Sequence, residues 1–326
     1  MGKYLSINRE AGLFVLGLLT TVAFVAIVVN SFNWELGTLY GAGTTQTASS
    51  TVIVGNAAPS VLDVIVNANG EINLTPNATT AVNVTARISD NNGCTDITGG
   101  TSTILLYRSG YTSSTCLSTQ NNLNCYMATL FTASSSCASN QIYTTTTFGV
   151  YYFADPTDAS STEYGSQTWL ATVIFKDSNN TTGSGDPLSG VELRSMTALN
   201  VTTSSINYGT LAASSTSVTN EVTTSTNAGN TSSTISLSAN ATLVSGGNVI
   251  ATTSQHYATA TFTYNTGDQA LQETATHVAG SIMTKPTSTT TVNRAIFWAL
   301  RVPAGTATGT YSGQTLFTAV YSTSTL

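Results

Sequence analysis

The chain reads as an all-β protein of antiparallel β-sandwiches set behind an N-terminal apolar helix. Three observations lead there. One uninterrupted apolar run, Ala11 to Val29, precedes a long remainder that is poor in charge. Hydroxyl side chains carry the polarity of that remainder. Thr alone is about a fifth of the chain, and its β-branched side chain favours half-exposed pleated surface. Downstream of the run, apolar residues recur with a period of two, the pattern of strands with one buried face.

Taking the elements in order, Lys3 and Arg9 precede the apolar run, and no further Lys or Arg appears until Arg87. That asymmetry orients the N-terminus inside and the remainder outside. The run spans 19 residues, which at about 1.5 Å per residue matches a hydrocarbon core. Residues 1–36 are therefore read as a transmembrane anchor or a signal helix. A retained anchor fits better, because signal cores run to about 7–15 residues and end on small residues. Here the only cleavage candidate is Val29-Asn30-Ser31. Trp34 and Tyr40 follow where interfacial aromatics sit. Residues 37–50 are small, polar and aperiodic, and read as a flexible spacer.

Beyond the spacer, Val82, Val84, Ala86 and Ile88 alternate with Asn83, Thr85, Arg87 and Ser89. They predict a half-buried strand. Trp169, Ala171, Val173 and Phe175 alternate with residues that are also partly apolar, which predicts a central strand. Ile235 to Leu243 and Ile296 to Val302 repeat the pattern. No stretch after Ser50 shows a helical period. Turn signals separate the strands at Asn69-Gly70, Asn92-Gly93, Ser109-Gly110, Gly246-Gly247 and Asn265-Thr266-Gly267. Cysteine content and a new pattern at Ile206–Leu211 put a boundary near Asn200. A cysteine-containing sandwich is expected over 51–200 and a second over 201–326.

Composition narrows the function. Charged residues are 7% of the chain, against roughly 25% in ordinary globular proteins. Hydrophobic residues are 41%, enough to build cores rather than a disordered tail. Net charge is −6, and the nine Lys and Arg are scattered. A nucleic-acid surface needs them clustered, so nucleic acid is excluded as a partner.

Four cysteines, Cys94, Cys116, Cys125 and Cys137, lack the tight spacing of a metal site. In an exported domain they read as two disulfides, with three connectivities open. Eight N-glycosylation sequons match what this composition yields by chance, but Asn83 and Asn240 fall on polar strand faces where modification is sterically feasible. No nucleophile elbow is present. His256 and His277 stand apart from Cys and acid clusters, and Asp155 with Asp158 is the nearest approach to paired carboxylates. No enzyme activity and no cofactor are expected. Calcium is the best cofactor candidate: Asp177 to Asp186 and Asp90 to Asp96 are oxygen-rich loops, yet each reads more simply as a solvated turn.

Two segments resemble bacterial immunoglobulin-like surface domains. Val302-Pro-Ala-Gly-Thr to Thr318-Ala-Val320 is similar to their closing hairpin. Gly209-Thr-Leu211 followed by Thr226-Asn-Ala-Gly-Asn-Thr231 is similar to their opening strand and turn. The resemblance covers residues 206–320 and implies immunoglobulin-like β-sandwiches in an exported Ser/Thr-rich surface protein of bacteria or archaea. It implies no catalytic residue. The expected function is a structural cell-surface subunit, of coat or S-layer-like type. Its partners would be the membrane through the N-terminal helix, copies of itself and other envelope components. An adhesin or glycan-binding module is the alternative, with Tyr151, Tyr152 and Phe153 as the densest aromatic cluster.

Overall fold

The computed structural model describes residues 48–129, 136–187 and 189–322. The apolar run and nearly all of the spacer lie outside the described residues. Among the described residues, no helix is long and apolar enough to cross a membrane. Contacts divide the chain after Val54. Residues 48–54 have no regular secondary structure, and Val52, Ile53 and Val54 are exposed.

Within Gly55–Leu326, four sheets pack as two pairs. The first pair is built from seven strands: β1 (Ser60–Val66), β2 (Thr79–Ser89), β3 (Thr101–Arg108), β4 (Cys125–Ala128), β5 (Gln141–Tyr151), β6 (Trp169–Lys176) and β7 (Thr182–Gly185). One sheet has the order β1-β2-β5 and the other β4-β3-β6-β7. All of these ladders are antiparallel. The period of two does what it predicts. Val82, Val84 and Ala86 turn inward with Val64 and Val66, and meet Ile104, Leu106, Trp169, Ala171 and Val173 from the facing sheet. β6 is central, between β3 and β7. Its second face is covered too: buried Thr172 shares a hydrogen bond with the Tyr107 hydroxyl at 2.8 Å.

The second pair comprises β8 (Leu199–Thr203), β9 (Glu221–Asn227), β10 (Ser233–Ser245), β11 (Asn248–Ile250), β12 (Gln255–Ala258), β13 (Gln269–Ala270), β14 (Thr276–His277), β15 (Asn293–Leu300) and β16 (Ser312–Tyr321). One sheet runs β13-β12-β15-β9-β8. In the other, β10 pairs with β11, β14 and β16. Ile235, Leu237, Tyr257, Ile296 and Trp298 form the core between them, with Phe317 against it. The Trp298 indole N–H donates to Thr223 Oγ1 at 2.9 Å, so the buried ring leaves no donor unmet. Gly246 and Gly247, at φ +49° and +88°, close the β10–β11 hairpin. A two-residue hairpin turn of this kind wants positive φ at both positions.

Three expectations need correction. Two short helices, α1 (Cys94–Thr98) and α2 (Ser113–Ser118), stand where no helix is read from the sequence. Five or six residues are too few to show a period. α2 is held by local chemistry instead: Thr112 Oγ1 accepts from the Thr115 N–H at 3.2 Å. Second, Ile206–Leu211 is coil and forms no strand, although Ile206 and Tyr208 pack against the second core. Third, the Pro303-Ala304-Gly305 segment closes no hairpin. β15 and β16 lie in different sheets, and β16 pairs with β10 from Ser233↔Tyr321 to Val244↔Ser312. Both strands alternate toward one core from opposite sides, so the largely exposed link between them passes from one sheet to the other.

Burial raises the phenol pKa of Tyr126 and Tyr257. An unfolded phenol ionises near pH 10, so above that the unfolded state binds fewer protons than the folded one. The stability involved is intact below pH 10 and falls as pH rises further, by up to about 1.4 kcal/mol per pH unit for each tyrosine. The Tyr257 hydroxyl is buried without a hydrogen-bond partner among the described residues. Thermal melts should therefore show Tyr257→Phe at least as stable as wild type at pH 7, with a shallower loss of Tm between pH 10 and 12.

Candidate functional site

Two places gather chemistry-bearing side chains. The first lies where the turn after β2 meets the β6–β7 turn. The Ser178 N–H donates to the Asp96 carbonyl at 3.1 Å, and the Asp90 N–H to the Asn140 carbonyl at 3.1 Å. These bonds bring three acids inward. Asp90 is 2% exposed, Asp96 6% and Asp177 3%. One carboxylate oxygen of each lies within 4.8 Å of the others.

Four of the six carboxylate oxygens are engaged. Asp90 Oδ1 accepts from the Asn92 N–H at 2.7 Å. Asp96 Oδ1 accepts from the Ser178 hydroxyl and from Asn179 Nδ2. Asp177 Oδ1 accepts from the Asn179 and Thr181 N–H groups at 2.9 and 2.8 Å, and Asp177 Oδ2 from Asn56 Nδ2 at 2.8 Å. Burial pushes the Asp177 carboxyl up, but the hydrogen bonds from Asn56, Thr181 and Asn179 outweigh it and hold the group below the usual carboxylate range. Asp90 Oδ2 and Asp96 Oδ2 are buried with no hydrogen-bond partner among the described residues. None of the salt bridges among the described residues reaches this cluster. Two like charges at this spacing repel by roughly 3 kcal/mol at an effective dielectric of about 20. Such an arrangement can hold a hard cation through oxygen.

Read separately, these loops resemble solvated turns. Burial of all three acids corrects that reading. Asp186 is not part of the cluster; it accepts from the Thr172 hydroxyl. The signal missing from the sequence is the pairing of the two loops, since Asp96 and Ser178 are 82 residues apart. Glycine at 183 helps to position the β6–β7 turn, because a Cβ there would sit 2.0 Å from the Pro59 carbonyl oxygen.

The disulfides join Cys94 to Cys137 and Cys116 to Cys125, and no cysteine is free. The first fastens the start of α1, inside the carboxylate loop, to the segment before β5. The second ties α2 to β4. Bridges of this kind persist in oxidising compartments, which places the folded chain outside the cytoplasm, extracellular or periplasmic.

The second place is a cleft of about 540 Å³ whose floor is a buried charge network. Asp155 accepts from Arg108 Nε at 3.1 Å, Lys285 Nζ at 2.5 Å and Asn124 Nδ2 at 3.3 Å. The Arg108 guanidinium lies 3.7 Å from the Tyr164 ring centroid and 5.4 Å from that of Tyr111. Tyr321 completes the aromatic rim. Asp158 accepts from the Ser195 hydroxyl and N–H, at 2.6 and 2.9 Å.

The remaining candidates disperse. Asn83 and Asn240 are both exposed, the first accepting from the Thr147 hydroxyl and the second donating to Gln314. The sequon asparagine Asn230, by contrast, is buried, with its amide spent on Ala154, Arg194 and Met196. His256 Nδ1 is 2.7 Å from Asp268 Oδ2 and stacks on Tyr264, whereas His277 is exposed. Tyr152 and Phe153 are core residues.

No family model matches the chain, and no curated protein does. Among solved structures, it is similar to the CsuC–CsuE chaperone–tip adhesion subunit pre-assembly complex from archaic chaperone-usher Csu pili of Acinetobacter baumannii. That likeness has 11% identity and a TM-score of 0.35, over 81% of this chain and 100% of the other. Dimeric latent PorU from Porphyromonas gingivalis matches at 10% identity and a TM-score of 0.25, over 77% of this chain and 24% of that one. The secreted serine protease VesC from Vibrio cholerae matches at 10% and 0.18, over 77% and 49%. Similarities this low carry no inference about activity or partner.

The Asp155 network yields a stability prediction. Asp155→Ala leaves Arg108 buried and unpaired, and should lower the unfolding free energy by about 3–5 kcal/mol in urea titrations. Lys285→Ala, at a position more exposed than Asp155, should cost less.

Proposed function

We propose that the chain is a non-catalytic structural subunit of the cell surface, with immunoglobulin-like sandwiches that associate laterally with further copies. One observation carries this reading. β16 runs for ten residues and, among the described residues, pairs along one side only, with β10. Its outward residues include Leu316, 51% exposed, and Val320, 42% exposed. An open edge with apolar side chains is a template for pairing with another chain. The low charge of the chain reduces the repulsion that would otherwise keep such edges apart.

The N-terminal apolar run would hold the assembly at the membrane. Exposed Asn83 and Asn240 would be the positions for glycans. A second reading, a glycan-binding adhesin, draws on the cleft framed by Tyr111, Tyr164 and Tyr321 above the Arg108–Asp155 pair, since aromatic faces beside fixed charges suit sugar rings.

Sedimentation of the full chain in detergent should show concentration-dependent oligomers. Leu316→Lys with Val320→Lys should return it to the monomer with Tm within about 2 °C of wild type, since both residues face outward. A monomer at all concentrations, or recovery of the native protein from the cytosol, would overturn the surface-assembly reading. A glycan array on which Tyr111→Ala abolishes the signal would favour the adhesin instead.

A further inference from the structure

We propose that Asp90, Asp96 and Asp177 bind one divalent cation, calcium in preference to magnesium, and that this ion clamps the segment entering β1 onto the first sandwich. The site stands on its own geometry, apart from the surface-assembly reading.

The acids alone would be a weak case, because buried carboxylates often serve as turn acceptors. Here that role is already filled by Asp90 Oδ1, Asp96 Oδ1 and both Asp177 oxygens. Asp90 Oδ2 and Asp96 Oδ2 remain, on side chains more than nine-tenths buried, with neither a donor nor a cationic side chain on them. A buried anionic oxygen without a partner is costly, and the fold has placed two of them in one cluster. A divalent ion would satisfy both.

The donor chemistry selects the class of ion. Every candidate ligand is oxygen: the three carboxylates, with the side chains of Ser178 and Asn179 beside them. The sulfur in this loop, Cys94, is tied up in its disulfide, and no histidine belongs to the cluster. Hard oxygen donors suit calcium, magnesium and manganese over zinc or copper. Oxygens within 4.8 Å of one another fit a calcium shell, whose opposite ligands lie about 4.6–5.2 Å apart; magnesium demands a tighter octahedron and keeps its waters.

The consequence of binding follows from what surrounds the acids. Asn56 donates to Asp177 Oδ2 and to the Thr181 hydroxyl. Asn92, two residues from Asp90, accepts from the Ala57 N–H and donates to the Gly55 carbonyl. Residues 55–57 thus hang from both cation loops at once. An ion that fixes the loops fixes the point where the chain enters the first sandwich.

The test uses the full chain in detergent, disulfides intact, stripped with EDTA and then titrated calorimetrically with calcium chloride or magnesium chloride. The expected result is one calcium per chain, bound at least tenfold more tightly than magnesium. At tenfold excess over Kd, Tm should rise by about 2–5 °C over the EDTA sample. Asp90→Asn should lose both the binding and the shift, while melting no lower than wild type in EDTA, because it removes like-charge repulsion. Asp186→Asn, outside the cluster, should bind normally. Absence of saturable calcium binding up to about 10 mM, beyond the weakest extracellular modules, would overturn the site. So would equal loss in Asp186→Asn. Tighter binding of magnesium would overturn the preference. Should Asp90→Asn fail to fold, the wild-type titration decides alone.

Discussion

Asp155 is the point on which the two sheet pairs depend. Its carboxylate takes Arg108 from the end of β3, Asn124 from the residue before β4, and Lys285 from the link between β14 and β15. Its main chain serves the same region: the carbonyl accepts from the Trp169 indole at 3.0 Å, and its N–H donates to the Leu123 carbonyl. One buried acid therefore sets the positions of strands from the first pair and a connection of the second. Around it, Asn230 extends the tie through Ala154 and Arg194. A chain this poor in charge has few such groups, so the loss of any one is not spread over neighbours.

Elsewhere hydroxyls do what charges do in other proteins. Thr157 Oγ1 accepts from the Leu193 N–H, and Ser281 Oγ from the Ile235 N–H. Thr172 meets Tyr107, and Thr223 meets Trp298. A hydroxyl can both donate and accept, and it is small enough to fit beside a strand. That lets Thr and Ser occupy interior faces without the desolvation cost of an ion. The same composition leaves a surface of low charge, and there the open edge of β16 acquires its meaning. Edge strands of many proteins are guarded by lysine; the outward positions Gln314, Leu316, Thr318 and Val320 carry none.

Strands were legible where one face is apolar, because period-two alternation needs only local sequence. Val82 to Ile88, Trp169 to Phe175, Ile235 to Leu243 and Ile296 to Leu300 all lie in strands. Strand partnership was not legible. Pro303-Ala304-Gly305 reads as a hairpin turn, yet the chain there crosses between sheets, a choice made by the core around Trp298 and Phe317 rather than by the turn. The same limit applied at the carboxylates. Each loop by itself lacks enough ligands, and only the β2–β6 geometry brings Asp96 beside Ser178. The sequon at Asn230 likewise gives no sign that its side chain is buried, since burial is a tertiary property.

The carboxylate cluster is hard to account for as a by-product of composition. Acids number fifteen in 326 residues, and three of them converge below 7% exposure with no counter-charge among the described residues. Natural sequences keep local conflicts rare and concentrate them where function demands it. The segment that carries Asp90 and Asp96 is also pinned by the Cys94–Cys137 disulfide, which spans 43 residues and holds Asp96 within its ring, with Asp90 just before it. Closing that span constrains the unfolded chain and supports the native loop by about 2–4 kcal/mol. That is comparable to the repulsion of a single carboxylate pair. The bridge thus allows the loop to persist with its acids gathered, and the conflict it tolerates is the feature that prepares the loop for a cation.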